Sequence, residues 1–214
     1  TIGYKDGSNW KTGNLTLTVS RENAAITLKD SSAGESGKLK GSLNVQDGAK
    51  LTVENGEYVS AYIRTGSEGV FKQGKCTSEL YLGEASSLES EDGAVCEITD
   101  GYYQYVNACA GTKLAISGIN TKISSLYVRS NSLVSRGYEG KRARVELSGG
   151  SYNKIGIQTR RRDELLDETN GYAIADMLSP GYDFFYVGMK KTVYRAELYA
   201  ENVEVLPSDT KEDL

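Results

Sequence analysis

The residue types able to do chemistry in this 214-residue chain are restricted, because histidine is absent. Without it, a Ser-His-Asp triad, a Cys-His pair and a His-ligated zinc site are excluded. Acid–base chemistry would come from carboxylates, lysine, tyrosine or cysteine. Glu97 and Glu146 occupy equivalent positions of an internal repeat, and as outward strand residues they would lie about 10 Å apart, near the spacing of an inverting glycosidase. No wider acidic ladder or calcium-binding repeat accompanies them, so we expect a non-catalytic protein without metal or cofactor.

The three cysteines, Cys76, Cys96 and Cys109, leave the redox compartment open. An odd number prevents complete internal pairing, and no CxxC pair exists. Two of them could form a disulfide, but the simpler interpretation is three buried thiols that act as small apolar residues.

Tyrosine is the other abundant chemical group, with 15 residues against 3 phenylalanines and 1 tryptophan. Tyrosine and arginine are enriched in protein-binding hot spots. One repeat position is tyrosine three times, which predicts a stack along one edge that either binds a partner or closes the core. Tyr81 and Tyr127, each between two apolar strand residues, should point outward. The candidate binding tyrosines are Tyr58, Tyr62, Tyr102, Tyr103, Tyr105 and Tyr152.

Basic residues are concentrated in the middle of the chain. Residues 101–162 hold 11 basic and 2 acidic residues, whereas 1–100 carry a net charge of −5 and 163–214 a net charge of −8. A basic belt of this kind would attract acidic partners. Two other interpretations stay open. The arginine triplet at 160–162 pairs with the acidic residues that follow it, or the arginines at 136–144 lie in a solvated loop. The arginines proposed for binding are Arg136, Arg142, Arg144, Arg160, Arg161 and Arg162.

An internal repeat of 45 residues indicates how these groups are positioned. Asp47-Gly48-Ala49 corresponds to Asp92-Gly93-Ala94, and Asn55-Gly56 corresponds to Asp100-Gly101. A third copy, 49 residues later, has Gly149-Gly150 in the Asn-Gly place. Such pairs tolerate the positive φ of a sharp corner.

Within each copy, apolar and polar residues alternate, which predicts short strands with one buried face. Leu51 and Val53, Cys96 and Ile98, and Val145 and Leu147 are the apolar partners. Three copies are too few for a closed propeller, whereas a solenoid needs no closure. We therefore predict an all-β, right-handed parallel β-helix in which each 45-residue unit supplies two turns of the solenoid.

The last quarter of the chain has a different composition. Residues 163–168 and 173–178 are helix-like, and strand-like segments follow at 182–187, 192–199 and 203–206. A solenoid needs an atypical end over its open core. We predict β-helix repeats over 1–162, with units near 39–83, 84–129 and 130–158, a small mixed α/β cap over 163–207 and a tail over 208–214.

The C-terminal passage carries a resemblance to a known family. Gly150-Ser-Tyr-Asn-Lys-Ile155, Ala173-Ile-Ala-Asp-Met-Leu-Ser-Pro-Gly-Tyr-Asp-Phe-Phe185 and Val203-Glu-Val-Leu206 resemble a segment that follows β-helix repeats in large surface proteins of gut Firmicutes. The match covers roughly 145–206 and contains no catalytic residue. The resemblance implies a secreted, wall-attached, multi-unit binding protein, and some such proteins are immunoglobulin-binding superantigens.

Together these observations favour a non-catalytic module, excised from an extracellular cell-surface protein, that binds a host protein. The resemblance makes immunoglobulin, and its Fab in particular, the sharpest candidate partner. A glycan-binding adhesin that takes an acidic glycan, a divergent polysaccharide-active enzyme and a structural spacer remain as alternatives. The sequence pI near 5.1 disfavours nucleic acid, and no apolar run is long enough to insert in a membrane.

Overall fold

In a computed structural model, the chain folds into two sheets of mainly parallel strands and a separate antiparallel pair of three-residue strands. The structure describes residues 4–6, 9–11, 16–31, 37–87, 90, 92–129, 143–158, 165–166, 177–187 and 190–195. Its strands are β1 Tyr4–Asp6, β2 Asn9–Lys11, β3 Leu17–Ser20, β4 Ala25–Leu28, β5 Lys38–Gln46, β6 Lys50–Val53, β7 Glu57–Ile63, β8 Glu68–Phe71, β9 Lys75–Leu82, β10 Val95–Ile98, β11 Tyr102–Ala108, β12 Lys113–Ser117, β13 Lys122–Val128, β14 Arg144–Ser148, β15 Ser151–Gln158, β16 Leu165–Leu166, β17 Tyr182–Val187 and β18 Lys190–Arg195.

From β3 to β15, consecutive strands alternate between the two sheets. The larger sheet has the order β17-β18-β15-β13-β11-β9-β7-β5-β3, and the six-stranded sheet has the order β14-β12-β10-β8-β6-β4. Each strand of the larger sheet and the strand that follows it form one pair, which we call a rung. Every contact between neighbouring rungs is parallel, from β3–β5 and β4–β6 through β13–β15. The predicted all-β class with stacked parallel strands is therefore confirmed.

The 45-residue repeat corresponds to two rungs, as predicted. Tyr58 pairs with Cys76, which pairs with Tyr103, and Tyr103 pairs through Ile123 with Tyr152. Corner glycines with positive φ precede four of these strands: Gly56, Gly74, Gly101 and Gly150.

The core lies between the two sheets. The predicted inward residues Leu51, Val53, Ile98 and Leu147 are all 1% exposed or less. Burial of this kind stabilises a fold by about 1.5–3 kcal/mol per large apolar side chain. Strict alternation therefore identified the buried face correctly.

The C-terminal part differs from the prediction. No helix occurs among the described residues: Leu165–Leu166 is a short strand antiparallel to β15, and Leu178 forms an isolated parallel bridge with Leu147. Strands β17 and β18 form a hairpin, and β18 pairs antiparallel with β15. The described residues 165–166 and 177–178 are therefore not helical, and the rest of the two predicted helices lies outside the described residues. The strand predicted at 203–206 and the tail lie outside the described residues.

No helix in the described part of the chain has the length and apolar character needed to cross a membrane.

Candidate functional site

The repeated tyrosines lie inside the molecule. Tyr58, Tyr103 and Tyr152 are each 0% exposed. Phe71, from the opposite sheet, packs between the first two, with ring centroids 6.3 Å from Tyr58 and 6.1 Å from Tyr103. Their proposed role in binding is therefore corrected: these rings build the core, because their repeat position faces inward.

Their hydroxyl groups are used differently from one copy to the next. Tyr103 donates to the carbonyl of Asp100 at 2.9 Å, and Tyr152 donates to that of Gly149 at 2.8 Å. Each bond closes the corner that precedes the strand. The Tyr58 hydroxyl is buried and has no hydrogen-bond partner in the described part of the chain.

The remaining predicted tyrosines reach the outer face of the larger sheet. Tyr102 is half-buried, and its hydroxyl donates to Gln104 Oε1 at 2.6 Å and lies 3.0 Å from Ser124 Oγ. Tyr105 is 40% exposed and stacks on Tyr127, with centroids 6.5 Å apart. Tyr62 is half-buried, and its centroid lies 6.2 Å from that of Tyr81.

A continuous row of outward side chains crosses this face. Register places Asn44, Tyr62, Tyr81, Asn107 and Tyr127 at one ladder position on five successive strands, β5 to β13. The outward orientation predicted for Tyr81 and Tyr127 is confirmed by the burial of their neighbours on each side.

A second row lies beside the first, at the ends of the same strands. The amides of Arg64, Gly83, Cys109 and Arg129 donate to Val45, Ile63, Leu82 and Ala108, respectively, which continues the ladder by one position. Arg64 and Arg129 are exposed. We name the combined surface the tyrosine–arginine strip, which consists of Asn44, Tyr62, Arg64, Tyr81, Asn107, Tyr127 and Arg129.

A hydrogen bond and two cation–π contacts hold Arg64 against two rings of the strip. The Arg64 guanidinium carbon lies 5.2 Å from the centroid of Tyr62 and 5.8 Å from that of Tyr81. Arg64 Nε donates to Asn44 Oδ1 at 3.1 Å. Cation–π contacts of this kind contribute about 0.5–1 kcal/mol at exposed sites, so the arginine is oriented before any partner arrives.

The other half of the strip is a polar network across three strands. Arg129 donates to Asn107 Oδ1 through Nη2 at 2.9 Å and through Nε at 3.2 Å. Asn107 Nδ2 in turn donates to Glu79 Oε1. Lys154 Nζ lies 6.0 Å from the centroid of Tyr127. The surface therefore combines aromatic rings with charges of both signs.

Tyr81 anchors the middle of the strip. Its hydrogen bond with Cys109, together with burial, raises the pKa of Tyr81 to about 12. Tyr81 thus stays a neutral hydrogen-bonding group at any physiological pH. Cys109 is itself buried, and burial raises the pKa of its thiol.

Two longer connections leave the sheet at the same corner as the arginine row. The corners 64–67 and 109–112 are tight, whereas 83–94 and 129–143 are long. The first long connection is fixed to its neighbours: Gly66 N donates to Asp92 O at 2.6 Å, and Ala85 N donates to Ala110 O at 2.9 Å. In stacked-repeat proteins, insertions collect on one face, often the binding face.

In the described part of the chain, the basic residues that were predicted to form one belt lie on two different sheets. Lys113 and Arg144 are register partners on the six-stranded sheet, whereas Lys122, Arg129 and Lys154 lie on the larger sheet. Arg136, Arg142, Arg160, Arg161 and Arg162 lie outside the described residues.

The structure also describes the two aligned glutamates on which the interpretation as a glycosidase depends. Glu97 pairs with Ala115, which pairs with Glu146, so both occupy one outward position two strands apart, as predicted. The Ser179 hydroxyl donates to Glu146 Oε1 at 3.0 Å, which ties that carboxylate to the C-terminal part of the chain. No group of three or more potential metal ligands occurs within the described ranges.

Sequence reasoning missed much of the strip. Asn44, Arg64 and Asn107 were not singled out, although a usable signal existed: Tyr62-Ile63-Arg64 and Tyr127-Val128-Arg129 have the same pattern. Their separation is not a multiple of the 45-residue repeat, because β7 and β13 are three strands apart in the sheet whereas one repeat spans two.

Comparisons with protein-family models, with curated proteins and with solved structures gave no match.

Proposed function

We propose that this chain is a non-catalytic protein-binding module, built as a right-handed parallel β-helix, of a secreted bacterial surface protein. The handedness follows the strong preference of parallel crossover connections for the right-handed form. The surface setting rests on the family resemblance of the C-terminal passage.

The observation that carries the proposal is the tyrosine–arginine strip. Its tyrosine and arginine side chains are of the types that dominate binding hot spots, and they are held in place by neighbouring strands. A rigid set of such groups loses little conformational entropy when a partner binds.

The arrangement favours a protein partner over a sugar. A glycan adhesin uses open ring faces for stacking, but Arg64 covers Tyr62 and Tyr81, and Lys154 lies over Tyr127. The mixed charges, with Glu79 among the cations, also suit a folded protein better than a uniformly acidic polymer. Human immunoglobulin is the first partner to test, because the resemblance implies it.

The test is binding of the immobilised fragment to pooled human immunoglobulins and to their Fab and Fc pieces, at several salt concentrations. We expect saturable binding that R64E/R129E weakens at least about tenfold, since the introduced glutamates would repel the acidic groups that the arginines attract. K122E is the control for each of the single variants R64E and R129E, because Lys122 lies on the same sheet and each substitution reverses one charge.

A second comparison identifies the face. Arg144 lies on the six-stranded sheet, so R144E should leave affinity within about twofold if the strip is the binding surface. Equal losses from R144E and R64E/R129E would reject the strip as the site. If no protein is retained from pooled immunoglobulins or from mucosal secretions, while an acidic glycan is, the proposal is wrong and the adhesin alternative holds. Retention of neither would leave the spacer.

A further inference from the structure

The tyrosine–arginine strip contains the same three-residue arrangement twice. Asn44, Tyr62 and Arg64 form the first copy, and Asn107, Tyr127 and Arg129 form the second. In each copy the asparagine lies on the preceding strand of the sheet, where it is the register partner of the tyrosine. The arginine follows two residues after that tyrosine.

The two copies also share one hydrogen bond, to which the second copy adds a bond from Arg129 Nη2 to Asn107 Oδ1 at 2.9 Å. In each, the asparagine Oδ1 accepts from the arginine one strand away: Arg64 Nε at 3.1 Å in the first copy, and Arg129 Nε at 3.2 Å in the second. Each asparagine amide nitrogen is engaged in turn, by Gln46 in the first copy and by Glu79 in the second. Both guanidinium groups are therefore tethered on the sheet side, and both residues are exposed to solvent.

The repeat of the fold does not produce this duplication. The 45-residue repeat relates positions two rungs apart, whereas β7 and β13 are three strands apart in the sheet. Strands β9 and β11 lie between them. On β9 the row holds Tyr81, with Gly83 two residues later, and on β11 it holds Asn107, with Cys109 two residues later. Arginine thus appears at the ends of the row and at neither of the two intervening positions.

We infer that the two copies are paired carboxylate-binding subsites, which take two acidic side chains of one protein partner. This inference rests on the proposed function and names the chemistry its partner presents. A guanidinium matches the planar geometry of a carboxylate, and the tether fixes its direction. Since neighbouring strands lie about 4.8 Å apart, the two arginine positions are separated by about 14 Å.

The spacing specifies the form of the partner segment. An extended chain rises about 3.3 Å per residue, so acidic side chains four residues apart lie about 13 Å apart on the same face. Acidic side chains two residues apart span only half that distance and would reach one subsite at a time. The side chain midway between the two acids would lie over the middle of the arginine row, where neither Gly83 nor Cys109 carries a positive charge.

The probe is a capped eight-residue peptide with glutamates four positions apart, added to isotopically labelled fragment at low salt. Arginine Nε–Hε NMR signals report on each subsite separately. We expect the signals of Arg64 and Arg129 to shift along one binding curve. Affinity should be at least about fivefold tighter than for a peptide with one glutamate, because the second contact becomes intramolecular.

Control peptides and variants make the outcome decisive. A peptide with glutamates two positions apart should bind like the single-glutamate peptide, and one with glutamines should not bind. R64Q and R129Q should each remove the fivefold advantage, whereas K122Q should retain it. No binding, or equal binding of the two glutamate spacings, overturns the inference.

This result is separable from the fate of the proposed function. If a protein is retained by the wild-type fragment and equally by R64Q and R129Q, the module binds proteins but the paired subsites are wrong. If the peptide binds as described while no protein is retained, the subsites stand and the proposed function does not.

Discussion

At the scale of single residues, one repeat position holds a tyrosine whose hydroxyl is satisfied in two copies and not in the third. Tyr103 and Tyr152 each donate to a corner carbonyl, whereas the buried Tyr58 hydroxyl has no partner among the described residues. Removing one partner of a buried hydrogen bond costs about 1–3 kcal/mol, while removing an unpaired buried polar group costs nothing comparable. The three positions therefore differ energetically although they share a register.

We predict that Y103F and Y152F each lower the free energy of unfolding by about 1 kcal/mol, and that Y58F leaves it unchanged or raises it. Urea unfolding of the three variants measures this. Each substitution removes only the hydroxyl, so the three serve as controls for one another. A loss for Y58F as large as for Y103F would mean that Tyr58 makes a hydrogen bond after all.

The cysteines give a second prediction at this scale. All three are free and buried. Burial raises the pKa of Cys76 to about 12, and it raises the pKa of Cys96 and of Cys109 as well. Because the thiolate is the reactive form, we expect no rapid reaction with a thiol reagent at pH 8 in the folded state, and three reacting thiols in denaturant. One fast thiol in the native protein would contradict this placement.

At the scale of elements, the strands could be predicted from sequence and the interaction surface only in part. The alternation of apolar Leu51 and Val53 with polar residues identifies the inward face, because successive side chains of a strand point to opposite faces. The helix predicted at 173–178 is wrong at its described end, since Leu178 forms a parallel bridge with Leu147 on the edge strand of the six-stranded sheet. Apolar content alone does not distinguish a helix from a strand when a sheet edge is available.

The strip was beyond the reach of the sequence for a different reason. Arg64 and Arg129 stand at the two ends of one row, and the chain between them includes the long connection 83–94, whose residues do not enter the register of the larger sheet. The length of a connection does not change which strands pair. The number of residues between two side chains therefore does not show whether they lie in one row of the sheet.

The connection 83–94 supplies the prediction that belongs to this scale. Hydrogen bonds from Ser86 and Ser90 hold the pKa of Asp92 at about 2, below its ordinary value of 3.8. Because the folded-state pKa is depressed, the contribution of the carboxylate is fully present above about pH 4 and is lost as the pH falls through about 2. We expect the Asp92 carboxyl carbon to titrate near pH 2 by NMR, and the Ser86 amide to lose protection from exchange over the same range.

The variant D92N is the control for that measurement. It removes the titrating group, so the Ser86 amide should be less protected at neutral pH and should show little further change in acid. A midpoint near 4 in the wild-type protein would contradict the hydrogen-bonded carboxylate, as would unchanged protection in D92N.

At the scale of the whole molecule, stability should vary along the stack, because each rung contacts only its neighbours. Leu17 on β3, Leu43 on β5, Ala61 on β7 and Leu80 on β9 share one inward ladder position. Leu80 is 0% exposed and Leu43 is 1% exposed, whereas Leu17, on the edge strand of its sheet, is only half-buried. The same side chain thus occupies a closed site in the centre and an open one at the end.

We predict that L80A lowers the free energy of unfolding by about 2–5 kcal/mol, since it leaves a cavity between packed rungs. L17A should cost about 1 kcal/mol, because its site is already partly hydrated and can relax. Urea unfolding compares the two, and L43A, one rung in from the end, should resemble L80A. Equal losses for L17A and L80A would mean that the β3 end is closed as firmly as the centre, and that the stack does not weaken toward that end.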